Sequence, residues 1–301
     1  MKGKKKVNSF RKIKGPLILT ICALIWGTAF VFQSVGMDYI KPFSFLAARS
    51  FVGCIVLIPL IIVSRVKSSV HKPDTEKNWL KGGIVCGVVL FAASAFQQIG
   101  IQYTTAGEAG FLTALYIVIV PVLGIFMGKK VGMQIWRAVA LALIGAYLLS
   151  VKDGFSVSQG AWWLLLCSLV FSFHILVCEK YGTAADPIKL SCMQFLICGI
   201  LSAVFAFVVE HPTAAAFTGA VIPILYCGIM SSGVAYTLQI VGQRYTQATV
   251  ASLIMSLESV FSALAGWVIL GEILSVREII GCVLVFSAVV LAQLPSKKKN
   301  N

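Results

Sequence analysis

Ten apolar runs, each long enough to cross a bilayer, fill this chain from residue 16 to residue 294. A hydrocarbon slab about 30 Å thick takes roughly 20 apolar residues per helix, so a chain patterned this way has lipid as its solvent. With 58% hydrophobic residues in 301 positions and a mean hydropathy of +0.92, one water-soluble core cannot hide the apolar surface. The runs fall at 16–36, 42–64, 82–101, 107–128, 133–150, 160–179, 188–209, 219–240, 247–270 and 276–294. Helices are expected, because open sheet edges leave backbone groups unpaired in lipid and the alternation of a membrane barrel is missing. The expected fold class is an all-α membrane protein of ten transmembrane helices.

A net charge of +14 in a soluble protein would suggest nucleic acid, but its placement here gives another reading. All but four of the 25 Lys and Arg residues fall on one side of the spans. Lys41, Lys152 and Arg277 fall on the other, and Arg49 lies inside a span. The positive-inside rule then puts both termini in the cytoplasm of a multi-pass protein of the cell (plasma or inner) membrane. The basic ends, 1–15 and 295–301, are expected to meet anionic lipid, with no nucleic-acid partner. The first 36 residues share a basic-then-apolar pattern with signal peptides. Their long apolar run, with no small-residue cleavage site after it, reads as a retained first span.

The nine cysteines lie in or at the edge of apolar runs without a Cys-x-x-Cys pair, and the three histidines are scattered. Thiols packing as small hydrophobes, with no metal and no cofactor, are expected. No Walker-type Gly-x-x-x-x-Gly-Lys-Ser/Thr is present, so ATP hydrolysis is not expected. The lack of a His/Asp/Cys constellation argues against an enzyme.

The second five runs repeat the first five. A shift of 145 pairs Gly15 with Gly160, Leu19 with Leu164, Cys22 with Cys167, Leu24 with Leu169, Pro42 with Pro187 and Arg49 with Gln194. A shift of 142 pairs Gln97 with Gln239, Tyr103 with Tyr245, Thr104 with Thr246, Ala106 with Ala248, Leu115 with Leu257 and Tyr116 with Glu258. One more residue of slip pairs Gly128 with Gly271. The repeats are read as 16–150 and 158–294. Because an odd number of spans separates the copies, they sit upside down to each other. Inverted repeats with a site at their interface are the architecture of a carrier that alternates between two faces.

Several motifs stand in order along the chain: Trp26-Gly27-Thr28-Ala29-Phe30, Pro42 followed by Arg49, Tyr103-Thr104-Thr105-Ala106-Gly107 leading to Pro121, and Ser256-Leu257-Glu258-Ser259 leading to Gly271-Glu272. Together they resemble the EamA-type branch of the drug/metabolite transporter superfamily over nearly the whole chain. That resemblance implies a ten-helix bundle around a central substrate cavity and export of amino acids or other small metabolites. The chain departs from the family pattern at Ser259, where proline is frequent and a kink is therefore in question. It departs again at Lys129, in place of an acidic residue, and at Glu108, a charge where small or polar residues are usual.

Ionisable residues at membrane depth are functional candidates by default. Arg49 lies roughly 10 Å into its span from the outside and Glu258 roughly 16 Å from the cytoplasmic surface. Arg49 either snorkels outward, ties helices together through backbone carbonyls, or binds an anionic group such as a carboxylate. Glu258 either carries a proton, holds a substrate cation, or is clamped to Arg49 or another buried donor. Gln97 and Gln194, with Gln33, Gln98 and Gln239, offer neutral hydrogen bonds to substrate or between helices. Tyr116, Tyr236 and Trp26 line a cavity or simply pack. Glu108 reads as a charge at a helix N-terminus, and His174 as a structural histidine facing the bundle. The leading expectation is a secondary carrier, working as a monomer or homodimer, that exports a small metabolite. Proton coupling is one option. The alternatives are an importer, a channel or a membrane-embedded enzyme.

Overall fold

The computed structural model describes residues 2–67, 73–104, 106–150, 159–271 and 273–294. Thr105, Lys152, Glu272 and the basic tail lie outside the described residues. Helix dominates, and no strand occurs among the described residues. The first three runs form α1 (Lys2–Met37), α2 (Pro42–Lys67) and α3 (Pro73–Ile101). The fourth is divided into α4 (Ala106–Ala114) and α5 (Tyr116–Phe126), and α6 (Met133–Ser150) follows. In the second half come α7 (Gln159–Gly182) and α8 (Pro187–Phe205), which runs on as a π-helical turn, Ala206–Glu210. Short α9 (Ala214–Gly219) precedes α10 (Val221–Tyr226), a π-helical stretch Cys227–Ala235, and α11 (Tyr236–Gln243). The ninth run is divided into α12 (Ala248–Met255) and α13 (Leu257–Leu270), and α14 (Val276–Gln293) ends the series.

Nine helical segments are long and apolar enough to cross a membrane among the described residues; the fifth apolar run gives a shorter helix, Met133–Leu149. Helix ends follow local chemistry. Asp186 accepts from the Ile188 and Lys189 amides at 2.9 and 3.0 Å, with Pro187 in the first turn of α8. Pro there forfeits no bond, since the first amides of a helix have no partner inside it. A capping box between Ser275 and Glu278 starts α14. Gly271, at φ 70°, ends α13 in the left-handed conformation that glycine adopts without strain.

The two breaks fall within one residue of equivalent places in the repeat. Leu115 and Ser256 have nearly the same backbone (φ −59°, ψ −12° and φ −62°, ψ −12°) and interrupt the fourth and ninth runs. Each turn tightens there, with the Val118 amide bonding the Leu115 carbonyl at 3.0 Å and the Ser259 amide bonding the Ser256 carbonyl at 3.1 Å. The ninth run is thus interrupted without the proline that Ser259 replaces.

Packing follows an alternation between halves. Going round the bundle, α1 packs on the span formed by α10, its π-helical stretch and α11; that span packs on α2, α2 on α8, α8 on α3 and α3 on α7. Then α7 packs on α4 and α5, these on α12 and α13, and α13 returns to α1. Outside this ring α6 lies along α14. Their backbones touch closely: a Cβ at Gly145 would stand 2.8 Å from the Gly281 carbonyl, and one at Gly281 would stand 2.6 Å from the Gly145 carbonyl.

Polar ties join the halves at both ends. Glu210 accepts from the Phe43 and Ser44 amides at 2.8 and 2.7 Å and from the Ser44 hydroxyl at 2.6 Å, and so caps α2 from the other half. At the opposite end, Glu179 pairs with Lys129 and also accepts from the Ala248 amide at 2.8 Å. The lysine found where an acidic residue is usual is the partner of that carboxylate.

Candidate functional site

A small cavity lies at the centre of the ring. The first half lines it with Trp26, Phe30 and Gln33 of α1, Arg49 of α2, Gln97 of α3, Thr113 of α4 and Tyr116 of α5. The second half adds Phe171 and Ile175 of α7, Ser231 of the π-helical stretch, Tyr236 and Gln239 of α11, Met255 of α12 and Glu258 of α13. Neither α6 nor α14 contributes. The cavity volume is about 30 Å³, room for a water or two.

Arg49 is 3% exposed, and its Nη1 donates to Gln33 Oε1 at 2.9 Å. Its guanidinium lies 5.8 Å from the Phe45 ring centre, and its Nε has no partner. Glu258 is 4% exposed and accepts from the Tyr116 hydroxyl at 2.8 Å. Both ends of that bond stand just past the two helix breaks, as the first residue of α5 and the second of α13. No ion pair joins Arg49 to Glu258 among the described residues; the buried donor on Glu258 is Tyr116. Each instead has one neutral partner, Gln33 from the same half for Arg49 and Tyr116 from the other half for Glu258, which leaves both under-compensated where desolvation is costly.

Aromatic rings make one wall. Tyr236 lies 4.7 Å from Trp26, 5.3 Å from Phe195 and 5.8 Å from His174, centre to centre. The Trp26 indole N–H and Gln239 Oε1 have no hydrogen-bond partner. Gln97 Nε2 reaches Thr113 Oγ1 at 3.4 Å.

Of the residues singled out from sequence, Arg49, Glu258, Gln97, Tyr116, Tyr236 and Trp26 come together at this cavity. Gln194 does not. It is fully buried behind the wall, with Oε1 3.2 Å from His174 Nε2. Glu108 falls in the first turn of α4. Phe30 lies four residues after Trp26 and three before Gln33, so helical spacing from those candidates reaches it; Phe171 and Ile175 carried no polar signal, and Ser231 no charged or amide group.

Residues 13–151 and 158–294 each match the EamA-like transporter family. The chain belongs to that family. An uncharacterized transporter of Archaeoglobus fulgidus is 32% identical to this EamA-like protein over 286 residues, covering 94% of this chain and 87% of its own length. The uncharacterized transporter YoaV of Bacillus subtilis is 23% identical over 279 residues, with coverage of 91% and 94%. A WAT1-related chloroplastic protein of Arabidopsis thaliana is 24% identical over 289 residues, with coverage of 90% and 67%. One solved crystal structure shares the fold of this EamA-like chain, with a TM-score of 0.75 at 20% identity over 92% of this chain and 96% of that one. The chain is therefore a multi-pass membrane transporter.

Proposed function

We propose that this EamA-like transporter is a secondary carrier that exports amino acids or related small metabolites by alternating access, coupled to protons through Glu258. The observation that carries the reading is that two buried, separately held ionisable groups, Arg49 and Glu258, line one cavity from opposite halves of the chain. A cationic group for a carboxylate and an acid for an amine or a proton suit a zwitterionic metabolite.

Two inverted five-helix repeats, 16–150 and 158–294, make the architecture, with ten spans in all and both termini in the cytoplasm of the cell membrane. Reciprocal contacts support the duplication: a Cβ at Gly15 would stand 2.8 Å from Tyr245 Cβ, and one at Gly160 would stand 3.1 Å from Tyr103 Cβ. Broken helices facing the site are a recurring feature of inverted-repeat carriers, and here they fall at Leu115 and Ser256. Because spans of the two halves alternate round the ring, the bodies that move draw helices from both.

Counterflow in proteoliposomes with a labelled amino-acid panel tests the reading, with wild type beside Glu258→Gln. Wild-type exchange of one compound, and a variant that exchanges it without pH-driven accumulation, are expected. A variant that still accumulates substrate under a pH gradient removes Glu258 from coupling. Wild-type flux that fails to saturate removes the carrier.

A further inference from the structure

Two glycines fix the register of the third span in each half. A Cβ at Gly87 would stand 2.7 Å from Ile197 Cβ and 2.8 Å from the Gln194 carbonyl. At Gly228 it would stand 2.5 Å from Val52 Cβ and 3.1 Å from the Arg49 carbonyl. Val52 and Arg49 precede Ile197 and Gln194 by 145 residues, so the two glycines hold equivalent places, 141 residues apart. Farther along, Gly100 approaches Leu164 as Gly242 approaches Leu19, and these glycines are 142 residues apart. Between the two pairs, the second half carries one extra residue.

In an α-helix one added residue turns everything beyond it by about 100°. Such a turn would take Gln239 out of the cavity or Gly228 off α2. The π-helical stretch Cys227–Ala235 absorbs the residue, since one wider turn takes it up without rotating the rest. Its counterpart in the first half lies within uninterrupted α3. Gln97 and Gln239 consequently both line the cavity, as equivalent residues should.

Inside the bulge the halves differ. The first half has the apolar run Val88–Ala92, none of which lines the cavity, whereas the second presents Ser231. The Ser172 and Ser202 hydroxyls bond carbonyls one turn back, and Ser231 makes no such bond. Arg49, whose partnerless Nε is buried, lines the same cavity from α2, the helix the bulge packs on. We infer that this one-residue insertion positions Ser231 to donate a hydrogen bond, together with Arg49, to the carboxylate of the transported compound. The inference rests on the reading of the cavity as the site for an amino-acid-like metabolite, and it makes the first-half arginine and the second-half serine one anion-binding subsite.

Counterflow by the full-length chain tests it, using the labelled amino-acid panel and, as competitors, the matching amines that lack the carboxylate. Ser231→Ala is expected to raise the half-saturating amino-acid concentration about tenfold, with the maximal rate and amine competition unchanged. Ser232→Ala, which alters the face turned to Gly53, is expected to behave as wild type. Deleting Ile229 restores an α-helical count and is expected to abolish the preference for amino acid over amine. If that deletion does not fold, Ser231→Ala decides alone. Unchanged half-saturation in Ser231→Ala, or an equal loss for amine and amino acid, overturns the inference while leaving the carrier in place. A wild type that exchanges no panel member overturns the underlying reading, and the inference with it.

Discussion

Glu210 and Glu258 are both buried carboxylates, and their surroundings separate their roles. Glu210 is matched by two amides and a hydroxyl at the start of α2, so its charge is satisfied in place and its work is structural. Glu258 has one phenolic donor and faces a cavity, so part of its bonding capacity is open to a guest. The contrast predicts opposite phenotypes. Glu210→Ala strands the α2 donors and is expected to cost about 2–4 kcal/mol, seen as a lower thermal midpoint in detergent. Glu258→Gln is expected to leave that midpoint close to wild type. Equal midpoints for Glu210→Ala and wild type would remove the cap from the stability of α2.

At the scale of elements, the spans were legible because hydrocarbon demands apolar length, and length survives any rotation of a helix. The cavity-facing set was partly legible for a different reason: a charge or a glutamine at membrane depth is costly enough to need a purpose, which exposed Arg49, Glu258 and Gln97. Gln194 met the same criterion and turned out to serve His174, because sequence cannot tell a cavity wall from the layer behind it. The interruptions at Leu115 and Ser256 left no proline or glycine at the break, and the π-helical stretch looks like any apolar run with two serines. Each of these segments packs against spans of the other half, and local sequence does not encode that packing. The α6–α14 contact is the tightest test of such packing. Gly281→Leu would force a side chain onto the Gly145 carbonyl, and overpacking of this kind costs about 1–3 kcal/mol. Reduced thermal stability with cavity contacts intact is the expected result, and a fully stable variant would show that the two helices can separate freely.

For the whole molecule, the alternation of spans round the ring decides how it can be assembled. Every neighbour-to-neighbour seam of that ring joins a span of one half to a span of the other, so the first half has few of its final partners while the second is still being made. The spans synthesised first must wait in the bilayer as a loose group until the rest thread between them. Expressed alone, the first half is expected to be protease-sensitive and short-lived. Expressed beside the second half from a chain cut within 151–158, it is expected to co-purify as a resistant complex. A first half that is stable and monodisperse by itself would contradict this. The plaited arrangement thus makes the order of translation part of the folding problem, and the lipid holds the unfinished strands of the plait apart until the last span arrives.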